Sequence, residues 1–160
     1  MQSHTDHENK SPYPKFWISL GINAVLMFVL MFVMVNTFAD VIPNINFVYM
    51  AIVMAAPMGI IMLASMPMMY PDKRKNAICY AGLAAAFVLS FAFIRTQAFV
   101  GNTGFLQSMI PHHSGAILMC RKAKITDLRI VSLCQSIEKS QQQEIDQMNA
   151  ILTSPNQAQR

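Results

Sequence analysis

The sequence predicts an all-α protein: three transmembrane helices, then an extracytoplasmic helical hairpin completed to a four-helix bundle by oligomerisation. Three observations predict it. Only 12% of the 160 residues are charged, against about 25% in an ordinary soluble domain. Three long stretches contain no Asp, Glu, Lys, Arg or His: Phe16 to Phe38, Phe47 to Tyr70 and Ala77 to Ile94. Beyond them the chain turns polar, and apolar residues recur at threes and fours in two successive segments.

Residues 1–15 read as a polar cytoplasmic tail. His4 and His7 stand there beside Asp6 and Glu8, either a loose metal-binding cluster or a solvated tail. Residues 16–95 form the membrane anchor. A helix needs roughly 20 apolar residues to cross about 30 Å of hydrocarbon. The three charge-free stretches hold 23, 24 and 18 residues, so the first two are ample and the third is just long enough. The first is too long for the h-region of a cleaved signal peptide, about 7–15 residues, and lacks a small-x-small cleavage site.

Orientation follows the basic residues that flank the spans. The loop after the second span holds Lys73, Arg74 and Lys75, which keep it in the cytoplasm. The loop from Ala39 to Asn46 has Asp40 and neither Lys nor Arg, so it belongs outside, as does everything after Ile94. Trp17, Tyr49, Tyr70 and Tyr80 sit near span ends, as interfacial aromatics do.

The chain has 14 Met. Met50, Met54, Met58, Met62 and Met66 follow each other in the second span, a soft-ligand track or plain apolar packing. Four-residue steps rotate about 40° each, so the row winds round the helix instead of holding one face. In the third span Ala77, Ala81 and Ala85, and Gly82, Ala86 and Ser90, have the spacing of a close-packing stripe. No span carries an ionisable residue, which argues against a transporter. The net charge of +4 comes from loops and tails, and no basic stripe interleaved with aromatics points to nucleic acid.

Residues 96–104 read as a linker, with Gly101-Asn102-Thr103-Gly104 as the breaker. The hairpin spans 105–152, with Thr126 or Asp127 capping its second helix, Ser154-Pro155 ending it and 153–160 as a tail. Two helices of this size leave their shared apolar face open. A second hairpin would cover it, as a homodimer or higher oligomer; docking against the spans is the alternative.

The segment Met109-Ile-Pro-His-His-Ser-Gly-Ala116, followed by Met119, carries the chemistry. Imidazole and thioether together favour copper over magnesium, calcium or manganese. Met109, one of His112 and His113, and Met119 can share a helix face. Pro111 predicts a kink or a helix start at the paired histidines. Taken alone, a His pair is as compatible with a surface or capping role. A turn near Asp127 places Met109 level with Ile145, His112 level with Gln142 and Cys120 level with Cys134. Outside the cytoplasm those two cysteines can form a disulfide; buried thiols or a copper thiolate pair with Met119 are the alternatives. Cys79 reads as a packing residue inside the third span.

These residues resemble the M-x-P-H-H-x-x-A…M signature of the domain-of-unknown-function 305 family. Gln141-Gln-Gln-Glu144-Ile145-Asp-Gln-Met148 resembles its Q-x-x-E-I-x-x-M segment. The resemblance implies a ferritin-like helical domain, exported or membrane-attached, with links to copper binding or tolerance. It implies a bacterial cytoplasmic (inner) membrane protein with a periplasmic or otherwise extracytoplasmic C-terminal domain. The expected ligands are Met109, His112, His113 and Met148, with Met119 as a further candidate and Glu144 as a ligand or as an acceptor that orients a histidine. The expected cofactor is copper, as Cu(I) or Cu(II). Expected partners are the metal ion, the lipid bilayer and further copies of the chain. Ser108 and Leu118 replace acidic residues common in the family, which leaves the softer His/Met set prominent. No nucleophile–base pair, phosphate loop or acid–base carboxylate pair suggests an enzyme. A structural module that oligomerises without tight metal binding is the alternative function.

Overall fold

The computed structural model describes residues 11–154; the tail histidines and Pro155 lie outside them. Five α-helices and two short 3-10 turns make up the described residues, with no strand among them. Helix α1 spans Tyr13–Leu30 and continues as a 3-10 turn over Met31–Met34. A second turn covers Phe38–Asp40. Helices α2, α3, α4 and α5 span Ile45–Ser65, Lys73–Thr96, Asn102–Lys122 and Leu128–Thr153.

Local chemistry sets these ends. Pro12 and Pro14 sit at the start of α1, where a missing N–H costs no helical bond. Asn44 caps α2 by accepting from the Phe47 N–H at 3.0 Å. Asp72 accepts from the backbone of Arg74 and Lys75, both at 3.0 Å, and Asp127 from that of Arg129 at 2.9 Å. Pro67 follows the last turn of α2, and Gln97 closes α3 in the left-handed region at φ 51°.

The apolar segments from Tyr13 to Met34, Ile45 to Ser65 and Lys73 to Thr96 are each long and apolar enough to cross a membrane. The first leaves helical geometry before Phe38, the second stops short of Tyr70, and the third takes in the Lys73–Lys75 cluster. Helix α2 lies between α1 and α3. Phe16 and Leu20, Ala55, Ala56 and Leu63, and Cys79 and Leu83 close the core of these three helices. The close approach is made by α2, not by the predicted small-residue stripe of α3. A Cβ on Gly59 would meet Leu83 Cδ1 at 3.0 Å and Leu20 Cδ2 at 3.1 Å, whereas Gly82 has nothing within 4 Å. Met50, Met54, Met58 and Met66 face outward and Met62 is half-buried.

Helices α4 and α5 pack against each other through Leu106, Ile110 and Ile117 on one side and Ile145 and Met148 on the other. A disulfide joins Cys120 to Cys134, with their Cα atoms 5.3 Å apart, so the level predicted for this pair holds. Two boundaries differ from the sequence reading. Asn102, Thr103 and Gly104 belong to the first turn of α4, and Pro111 sits inside that continuous helix instead of starting or breaking it. The burial of Pro111 and its neighbours against other elements outweighs the one lost backbone bond.

Candidate functional site

Helix α4 presents three faces, because successive residues turn by about 100°. The first faces α5 and carries Leu106, Ile110, His113 and Ile117. The second docks where the first apolar segment ends and α2 begins. The Ser108 hydroxyl accepts from Asn46 Nδ2 at 3.1 Å, and the Ser114 hydroxyl accepts from the Asn36 N–H at 2.8 Å. Ser114 also donates to the buried carboxylate of Asp40, which takes a second hydroxyl from Thr37 at 2.8 Å. Gly115 completes this contact: a Cβ there would stand 3.3 Å from the Met34 carbonyl oxygen. The third face is open. It holds the exposed Phe105, His112 and Met119 and the half-buried Met109 and Ala116, with no charged side chain among them.

The adjacent histidines therefore have different fates. His113 is only 7% exposed. Its Nδ1 lies 2.8 Å from the Met109 carbonyl oxygen and its Nε2 lies 2.7 Å from Glu144 Oε2. His112 faces outward, its ring centroid 6.1 Å from that of His113.

The expected ligands are split accordingly. His113 and Glu144 meet directly, three residues away from the predicted level of His112 and Gln142. Met148 is buried in the α4–α5 core beside Ile145, and Met109 packs at its edge. Met119 is 54% exposed and shares the open face with His112, seven residues away. One histidine, His112, shares a face with Met109 and Met119 as the spacing predicts, and the other, His113, turns toward α5. Among the described residues no three His, Cys, Asp or Glu side chains gather as a metal cluster. The bonded Cys120 and Cys134 present no thiolate pair to a metal in this state, and Cys79 is a free, buried thiol.

Docking against the apolar helices is the alternative given above, but the residues that make the contact were not identified from sequence. Its signal was present in Ser114-Gly115, a hydroxyl and a missing side chain placed directly after the histidines.

A family model described as "Domain of unknown function (DUF305)" matches residues 95–159. Uncharacterized protein L153 of Acanthamoeba polyphaga mimivirus is 34% identical over 119 residues, covering 73% of this chain and 76% of that protein. The chain belongs to the DUF305 family. The DUF305 match begins in the last turn of α3 and takes in α4 and α5 whole. The alignment with the viral relative is too long to fit inside it, and a continuous stretch of that share includes α2 and α3. No solved structure matches the chain. Neither the DUF305 description nor the relative's name points to catalysis.

Proposed function

We propose that the chain is a membrane-anchored, extracytoplasmic copper-binding protein that captures the ion through His and Met side chains, for homeostasis, delivery or tolerance. The observation that carries this reading is the open face of α4, where Met109 and His112 lie one turn apart and Met119 follows on the same stripe. Imidazole nitrogen and thioether sulfur without a carboxylate suit a soft ion such as Cu(I), so the donors present fit copper. His113 has its Nε2 taken by Glu144 and serves here to hold α4 against α5, with Met148 as core. On this reading α4 and α5 are a ferritin-like hairpin carried by a three-span anchor, which the packing of α4 on α5 and the three long apolar helices support. The Lys73–Lys75 cluster places the α2–α3 loop in the cytoplasm, and α4 and α5 then stand outside, on a bacterial inner membrane or its equivalent.

The test is titration of the full-length protein in detergent with Cu(I), read by competition with a coloured chelator. His112→Ala is expected to weaken binding at least tenfold, and Met109→Ala to weaken it as well. Wild-type affinity in His112→Ala overturns the reading. Absence of tight binding in the wild-type chain favours the structural module instead.

A further inference from the structure

We infer that the metal site on α4 is completed by a second copy of this chain, packed antiparallel along the open face of the helix. The inference rests on the copper reading and adds the source of the third ligand. Met109 and His112 are one turn apart and can hold one ion together. Met119 lies on the same stripe but seven residues on, about 10 Å along the axis. An ion bound at roughly 2 Å to each donor cannot take His112 and Met119 from the same straight helix.

A two-fold axis across α4, level with the junction of Gly115 and Ala116, sets each His112 opposite the partner's Met119. Each dimer then holds two sites of one imidazole and two thioethers: Met109 and His112 from one chain, Met119 from the other.

Four observations favour this occupant. The stripe is uncharged, so two copies meet without burying charge. Ala116, the small residue of the stripe, falls at the axis and lets the backbones approach. Arg121 and Lys122 crowd the C-terminal turn of α4 while its first turn is uncharged, so antiparallel packing separates the basic ends that parallel packing would press together. The apolar surface also continues onto α5: Ile130 and Leu133 are exposed there and share with Ile137 the stripe of Glu144.

The membrane permits it. The docked face of α4 is held at Ser108 by the start of α2 and at Ser114 and Gly115 by the end of α1, so the helix crosses the outer ends of those helices. The centre of the open face lies about a quarter-turn from the centre of the docked one, with Ser108 and Met119 at their shared border. A two-fold axis along the membrane normal therefore leaves both anchors on one side.

The test uses the full-length chain in lipid nanodiscs. Oxidation of Ala116→Cys is expected to give covalent dimers in high yield. Phe105→Cys is expected to give none, because in this register the two positions are about 31 Å apart along the axis. Cross-linking of Phe105→Cys, or none at Ala116→Cys, overturns the antiparallel pair whatever the metal does. Silver(I) then probes the shared site. His112→Ala and Met119→Ala alone are each expected to bind at least tenfold more weakly, and co-reconstituted variants to regain tight binding in their mixed dimers. Random pairing makes half of the dimers mixed, each with one restored site, so the recovery expected of an equal mixture is one tight site per four chains. No recovery on mixing overturns the shared site, while His112-dependent binding with one tight ion per isolated chain would leave the copper reading standing without it.

Discussion

His113 and Glu144 meet at 2.7 Å across the α4–α5 interface, the imidazole buried and the carboxylate half in solvent. The contact fixes the turn of α4 that carries both histidines. Glu144→Gln removes the charge from the pair but keeps an acceptor, so a loss of about 1 kcal/mol is expected, since half of that carboxylate is already hydrated. His113→Ala is expected to cost more, about 2 kcal/mol, because it also empties a buried position. Thermal unfolding of the detergent-solubilised protein checks both. Copper affinity should change little in Glu144→Gln if His112 is the ligand.

Ser114 is wholly buried and joins the Asn36 N–H to the Asp40 carboxylate. Ser114→Ala strands the Asn36 N–H and leaves Asp40 with the Thr37 hydroxyl, and is expected to cost about 1–3 kcal/mol. Limited proteolysis near Thr37 should accelerate in this variant, and an unchanged rate would mean that the contact does not hold the loop.

Gly59 and Gly82 give a paired comparison. A side chain at Gly59 runs into Leu83 and Leu20, and Gly59→Val is expected to destabilise by about 1–3 kcal/mol. Gly82→Val meets nothing within 4 Å and should leave the melting temperature within a degree or two.

The Cys120–Cys134 disulfide closes the turn between α4 and α5 at a sequence separation of 14. A loop of that size is worth roughly 3 kcal/mol, so Cys120→Ser with Cys134→Ser, or a strong reductant, should lower the unfolding midpoint. Equal midpoints with and without reductant would show that the bond adds no stability.

Asp127 caps α5, and hydrogen bonds from the Arg129 side chain and backbone hold its carboxyl below the usual carboxylate range. A lowered folded-state value means that this stabilisation is present above the ordinary value and is lost as pH falls through the folded one. Asp127→Asn should therefore flatten the acid limb of stability against pH, with little change in its shape near neutrality. An acid limb identical to that of the wild type would exclude Asp127 as a contributor.

Much of this architecture was legible because its signals are local. Charge-free runs locate the apolar helices, Asp127 announces the start of α5, and the spacing around the turn pairs Cys120 with Cys134. What was not legible is long-range. Ser114 and Asp40 are 74 residues apart, and neither flank suggests the bond. The ends of the spans moved because Asn44, Asp72 and the prolines decide where helices begin and stop, while charge alone marks only where apolar residues run. The ligand set divided because sequence distance along a helix says how residues are spaced, whereas which face is covered depends on what docks there. Of the kink or helix start that Pro111 suggested, the start is not found: α4 begins at Asn102 and runs through the buried proline.

The clamp at Ser114 and Gly115 has a mechanical consequence. It pins the azimuth of α4 two and three positions beyond His112, so the direction of that imidazole is dictated by a segment of chain around Met34 to Asp40. The outward surfaces of the first two apolar helices are thereby free to drift in composition, whereas the short stretch joining them is tied to α4. A graft of α4 and α5 onto an unrelated tether would keep every side chain of α4 and lose the direction of His112.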